Sequence, residues 1–135
     1  MTPRAKRRLY LREAVIALAL ARLAVRFLPP AHVFRWADRP MKRICRFAAD
    51  EADWVAWAIG HAVTLPRMNA PCLPQALAAH AMLRHRGIPS RLCVGVARNG
   101  EEVMAHAWAE ANESTVVGGE EANRFTRLAT FGGAT

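Results

Sequence analysis

A cysteine and a histidine, two residue types that together catalyse acyl transfer, occur at Cys72 and His106. Pro74 follows Cys72 by two residues, at the start of a run of strong helix formers that ends in Arg86 and Gly87. Proline is tolerated in an α-helix only in the first turn, because the N–H that it lacks would have no partner there. The spacing therefore predicts a helix that begins at Cys72 and stops at Gly87.

A helix N terminus would favour nucleophilic chemistry at Cys72. Its unpaired N–H groups and the helix dipole stabilise a thiolate, the reactive form of cysteine. The same N–H groups can hold the oxyanion that develops when a carbonyl is attacked. Acyl transfer is the reaction class that Cys72 and His106 predict together, whereas a buried structural thiol is the alternative reading of Cys72 alone.

His106 requires a strand to position it. Asn99-Gly100 separates RLCVGVA from EVMAHAWAEA, which is typical of a β-hairpin. With Asn99 and Gly100 as the two turn residues, Cys93 faces His106 among small neighbours, and we expect the helix that begins at Cys72 to pack on this face. The register also makes Cys93 a second candidate nucleophile, although it lacks the helix end.

The other segments predict the fold class. Asn112 and Glu113 would form a turn that returns the chain through STVVGG as a third strand, and Asp50 would cap a helix that precedes Cys72. Helices are predicted over 4–28, 31–48 and 50–65. Helices followed by an antiparallel sheet form an α+β fold. We expect a single domain, helical over 1–65 and with the catalytic core over 66–135.

The net charge of +8 is concentrated at the start of the chain. Residues 1–46 contain twelve of the nineteen Lys and Arg but only two acids, Glu13 and Asp38. This arm could contact an anionic membrane, phosphates or an acidic partner, or it could form a solvated helix face. We expect the helices to dock on the sheet with their basic residues outward. The apolar stretch 14–28 is interrupted by two arginines and falls short of the roughly 20 residues that span a bilayer.

Other function classes are disfavoured. The chain has three cysteines, Cys45, Cys72 and Cys93, and no CxxC pair. This odd number argues against a disulfide framework, and the spacing argues against a structural zinc site. We therefore expect a protein of the reducing cytoplasm. The spacings of His61, His80 and His85 match no zinc pattern. The basic residues are not interleaved with aromatic ones, which argues against nucleic-acid binding. We therefore expect no metal, cofactor or nucleic acid.

An ordered set of short motifs surrounds Cys72 and His106. The motifs are CLPQAL at 72–77, RGIPS at 86–90, AHAWAE at 105–110 and VVGGE at 116–120, followed by Phe125 and Leu128. Through these motifs the chain resembles the leader peptidases of lasso-peptide biosynthesis, in the transglutaminase-like superfamily. The resemblance covers roughly residues 55–131. It implies a stand-alone cysteine peptidase that removes the leader from a ribosomally made precursor peptide, together with a separate leader-recognition protein and a cyclase.

The resemblance also implies roles for individual residues. Cys72 would attack the scissile carbonyl, and His106 would act as general base and then as general acid. Relatives place an Asp about a dozen residues after the histidine, and no Asp occurs over 113–120. Glu120, which follows the last strand of the prediction, is our candidate for this third position, in preference to Glu113 in the turn and Glu110 on the histidine's own strand. An ordinary solvated glutamate is the alternative reading of Glu120.

Two other functions are compatible with the sequence. The same cysteine and histidine could transfer the acyl group to an amine, as true transglutaminases do, because water and amine differ only in which attacks the acyl-enzyme. Alternatively, the chain could be a non-catalytic adaptor whose basic helix contacts a membrane or a biosynthetic complex.

Overall fold

Four helices precede four strands in the computed structural model, which describes residues 2–40, 48–111, 114–118 and 125–132. The helices are α1 Pro3–Phe27, α2 Pro30–Ala37, α3 Ala48–Ala62 and α4 Cys72–His85. The strands are β1 Ser90–Asn99, β2 Glu102–Ala111, β3 Ser114–Val117 and β4 Thr126–Gly132. The strands pair antiparallel in a single sheet, which confirms the α+β prediction.

The prolines set the bounds of the first two helices. Thr2 caps α1 by accepting a hydrogen bond from the Ala5 N–H, and Pro30 starts α2 at its first position. The predicted helix over 31–48 ends earlier than expected, at Ala37, and positions 41–47 of the prediction lie outside the described residues. Pro40 cannot donate an N–H to a helix and disfavours helical geometry at the residue before it.

The third helix begins two residues earlier than predicted. Asp50 lies in the first turn of α3 and is not its N-cap, since the helix starts at Ala48. A carboxylate in the first turn still interacts favourably with the positive end of the helix dipole. Among the described helices, none is both long and apolar enough to cross a membrane.

The basic helix α1 lies on other helices. It packs on α3 and α4, and its buried residues are Tyr10, Ala14, Leu18 and Ala21. Because α3 and α4 themselves contact β3 and β2, α1 forms an outer layer. The expectation that this arm docks on the sheet is therefore wrong for α1.

The sheet has the order β3-β2-β1-β4, so the last strand returns to pair with the first. Sequence analysis predicted three strands and missed β4. Its pairing with β1 is irregular, because the register shifts between Val94 and Gly95. Such a bulge interrupts the strict alternation by which a strand is found in a sequence.

The hairpin between β1 and β2 has a register two residues away from the prediction. Asn99 pairs with Glu102, so the turn residues are Gly100 and Glu101. Gly100 has a φ of 69°, a value that favours glycine. Consequently Gly95, and not Cys93, lies opposite His106. A shift of two leaves every side chain on its predicted face, because the side-chain period of a strand is two.

Candidate active site

Cys72 is the first residue of α4, as the sequence predicted. Pro74 lies in the first turn and contributes no N–H, and the Gln75 N–H donates to the Pro71 carbonyl at 3.3 Å. Pro71 precedes the helix and has no side chain that could accept from the first turn. The N–H groups of Cys72 and Leu73 are therefore those that the helix end offers to an oxyanion.

The loop before Cys72 is held by a side chain of the same helix. The Gln75 side-chain amide donates to the Ala70 carbonyl at 2.6 Å, across the start of α4. This contact fixes the path of the chain into Cys72, which is half-buried. A half-buried thiol can be reached by a substrate and still be held in one orientation.

His106 lies on β2. Its Nε2 lies 3.3 Å from the Gly118 carbonyl oxygen. Because a carbonyl only accepts, this contact is a hydrogen bond in the tautomer that carries its proton on Nε2, and Nδ1 is the basic nitrogen of that tautomer. The ring stacks on Phe125 at 4.9 Å and on Trp108 at 5.9 Å between centroids.

Gly118 is a site residue that sequence analysis did not identify. It lies twelve residues after His106 and has a φ of 84°. A Cβ at this position would lie 2.9 Å from the Trp108 Cβ and 3.2 Å from the His106 Nε2. The backbone of Gly118 can therefore approach the imidazole closely, and its carbonyl orients the ring about where relatives place an Asp. The signal in the sequence is the Gly-Gly pair at 118–119, which belongs both to the predicted third strand and to the VVGGE motif.

The predicted third residue, Glu120, lies outside the described residues, as does the predicted turn at Asn112 and Glu113. Glu110 has a different role from the one considered. Its carboxylate accepts from Trp108 Nε1 at 2.9 Å and from Arg127 at 2.6 Å. Glu110 thus fixes the tryptophan that stacks on the histidine ring.

The face of the sheet that packs on α4 is not the one predicted. Ala107, Ala109 and Ala111 of β2 are buried in the same core as α4. His106 alternates with these alanines, so its side chain points to the other face, where Trp108 also lies. The expectation that α4 packs on the histidine face is therefore wrong, because the alanines give the helix its close approach.

The structure places Cys72 and His106 in different layers. Cys72 packs against the core that contains the β2 alanines, whereas the His106 side chain lies on the opposite face of the sheet.

The described pairing of β3 with β2 involves Ala109, Glu110 and Ala111. Gly118 continues from β3 toward His106, where its carbonyl meets the imidazole.

The second candidate nucleophile, Cys93, is in an unsuitable environment. Its side chain is fully buried and lies opposite Trp108. Burial raises the pKa of the Cys93 thiol, and the negative charge of Glu110 raises it further. Since the thiolate is the nucleophile, both effects disfavour catalysis at Cys93.

His80 and His61 have structural contacts. His80 is fully buried, with Nε2 donating to the Ala37 carbonyl and Nδ1 bonded to the Ser90 hydroxyl, both at 2.8 Å. His61 is exposed and bonds to a carbonyl one turn earlier in α3, and His85 is exposed at the end of α4. Over the described ranges, no three His, Cys, Asp or Glu side chains form a group that could hold a metal ion.

Comparison with protein families agrees with this arrangement of helix and sheet. A family model described as the transglutaminase-like superfamily matches residues 14–130. The chain belongs to this superfamily. The comparisons with curated proteins and with solved structures gave no match. Membership suggests a cysteine-dependent protease or acyltransferase type of activity.

Proposed function

We propose that this transglutaminase-like protein is a cysteine peptidase that removes the leader segment of a ribosomally synthesised lasso precursor peptide. It would act with a separate leader-recognition protein and a cyclase that uses the freed amine. The observation that carries the proposal is Cys72 at the first position of α4, in a chain that belongs to the superfamily. The leader-peptidase role rests on the motif resemblance around Cys72 and His106.

In the proposed mechanism, Cys72 transfers its thiol proton to Nδ1 of His106 and attacks the scissile carbonyl. The tetrahedral oxyanion is held by the N–H groups of Cys72 and Leu73. Nδ1 then returns the proton to the leaving amine, and the C–N bond breaks to give a thioester. Water attacks the thioester while His106 accepts its proton, which releases the leader as a carboxylic acid and restores the thiol.

The hydrogen bond to Gly118 supports the assignment of His106. With the proton on Nε2 directed to the Gly118 carbonyl, Nδ1 is the nitrogen that can accept from a thiol. As the ring becomes positively charged, the carbonyl dipole also stabilises the imidazolium. A backbone acceptor can thus serve the orienting function that a carboxylate has in relatives.

The proposed pair also requires the two side chains to approach each other. Because α4 and the His106 side chain lie on opposite faces of the sheet, the Cys72 thiol would reach the imidazole around the edge of β2.

The test is to incubate the protein with a leader-recognition protein and the precursor peptide and to weigh the products by mass spectrometry. We expect two fragments whose masses sum to the precursor plus one water. Cys72→Ala should abolish the fragments, and the matched variant Cys93→Ala should retain them. Circular dichroism of both variants would establish that they are folded.

Each alternative function predicts a different product. A product that carries an added primary amine instead of water would identify an acyltransferase. If Cys72→Ala cleaves the precursor at the wild-type rate, Cys72 is not the nucleophile. If the wild-type chain binds the recognition protein but the precursor stays intact, the adaptor reading replaces the peptidase.

A further inference from the structure

Helix α1 has two apolar faces. One face contains Tyr10, Ala14, Leu18 and Ala21, which are buried against α3 and α4. In an ordinary surface helix the opposite face would be polar. In α1 the opposite face instead bears large apolar side chains.

These side chains form a stripe on the outside of the molecule. Between 46% and 70% of each is exposed, and the stripe consists of Leu9, Ile16, Leu20, Leu23 and Phe27. From Ile16 onward they follow at intervals of four, three and four residues, which places them in line on a helix. The stripe is roughly 27 Å long from Leu9 to Phe27. Five solvated side chains of this size in line indicate a surface that binds something.

An apolar groove extends the stripe toward the next helices. Ile16 and Leu20 contribute to its α1 side, and its other lining residues include Trp36 of α2 and Ala81 of α4. Trp36 is itself 38% exposed. An amphipathic tryptophan at the margin of an apolar surface is typical of contact with the interfacial region of a bilayer.

Basic side chains border the stripe. Arg8, Arg12 and Arg26 are exposed, and a turn of 100° per residue places all three along one side of it. Altogether α1 contains seven Lys and Arg. Its single acid, Glu13, accepts two hydrogen bonds of 2.6 Å from Arg86. The surface of α1 is therefore apolar in the middle and cationic at its side.

We propose that α1 lies flat on an anionic lipid bilayer, with the stripe inserted among the acyl chains and the arginines at the phosphates. The chemistry matches both components, because apolar insertion and attraction to anionic headgroups together give stable interfacial binding. The stripe lies on the outward side of a 25-residue helix, where a planar surface can contact it along its length. An acidic amphipathic helix of a partner protein would instead fill the groove beside Trp36.

The test uses sedimentation of the full chain with vesicles of phosphatidylcholine alone or mixed with phosphatidylglycerol. We expect binding to the mixed vesicles and weak binding to the neutral ones, with a marked loss on raising the salt concentration. Changing the stripe by Leu20→Ser, Leu23→Ser and Phe27→Ser should reduce binding at least about tenfold. These positions lie on the exposed face, so the variant keeps its core.

The matched control is Val103→Ser with Leu128→Ser, two side chains of the sheet that are 63% and 65% exposed. It should bind vesicles like the wild type. Equal binding of the stripe variant would overturn the proposal, because charge attraction alone would then explain sedimentation. The proposal also fails if the wild-type chain does not bind anionic vesicles at low salt. It fails likewise if the wild-type chain does not bind lipid and sediments as a dimer in ultracentrifugation, whereas the stripe variant sediments as a monomer. The stripe would then be a dimer contact.

Discussion

His80 is expected to make the stability of this fold depend strongly on pH. The ring is fully buried between α2 and β1, where its Nε2 donates to the Ala37 carbonyl and its Nδ1 accepts from the Ser90 hydroxyl. A second proton would have to displace the Ser90 hydrogen bond. Burial accordingly lowers the pKa of His80 from its ordinary 6.5 to about 4, and the nearby positive charge of Arg84 acts in the same direction.

The direction and the size of the effect follow from linkage. Between pH 6.5 and about 4 the unfolded chain holds a proton on His80 that the folded chain does not, so stability falls as the pH falls. Above pH 6.5 His80 is largely neutral in both the folded and the unfolded chain, so its protonation no longer lowers the free energy of unfolding. For these two pKa values, the free energy of unfolding at pH 5 is about 2 kcal/mol lower than at pH 7.5.

Urea unfolding followed by tryptophan fluorescence between pH 5 and 7.5 measures this change. The informative variant is His80→Gln, since glutamine can donate to Ala37 and accept from Ser90 without titrating. Its unfolding free energy should lose about 2 kcal/mol of the wild-type pH dependence. His85→Gln, which replaces an exposed histidine of the same helix, is the matched control. If wild type and His80→Gln show the same pH slope, the buried neutral histidine is not its cause.

Three further predictions follow from particular contacts. Gly118→Ala places a Cβ 2.9 Å from the Trp108 Cβ at a φ of 84°. We therefore expect the free energy of unfolding in urea to fall by about 1 to 3 kcal/mol and the NMR signals of the His106 ring to shift. Unchanged values would contradict the close approach of Gly118 to the ring. Arg86→Met removes two hydrogen bonds of 2.6 Å to Glu13 and should lower the free energy of unfolding by about 2 kcal/mol. A double-mutant cycle with Glu13→Gln would assign this loss to the Arg86–Glu13 pair. If the losses of the two single variants simply add, the pair is not its cause. Iodoacetamide should modify Cys72 well before Cys93 in the folded protein, as judged by peptide mass mapping, because Cys93 is fully buried; equal rates would refute this order.

The start of α4 shows how far local sequence can determine structure. Pro74 has no N–H, so the helix can begin only just before it, and Gly87 can take the positive φ of 74° that follows the helix end. These restrictions act within one or two turns and hardly depend on the rest of the fold. The same holds for the existence of the β1–β2 hairpin, although not for its register.

Register and layering depend on contacts between distant segments. Asn99-Gly100 indicated a turn, but the pairing of Asn99 with Glu102 places the turn one residue later. No local signal identified β4, which pairs with β1 around a bulge at Gly95, where Trp108 lies against the backbone. The tertiary structure also decided which face of β2 is covered, since the alanines of β2 became apparent as a helix-packing surface only with α4 in place.

By itself, the sequence determined that Cys72 begins a helix, that His106 lies on a strand of an antiparallel hairpin, and that the chain has an α+β fold. Proline geometry, helix propensity and side-chain alternation are short-range effects, and they suffice for these conclusions. Only the tertiary structure decided that the Gly118 carbonyl holds the His106 ring, that His80 is buried without charge, and that α1 exposes a second apolar face. Each of these depends on which distant elements pack together and which surfaces they leave exposed. A local sequence pattern does not determine either, because the contacts join segments that are far apart in the chain.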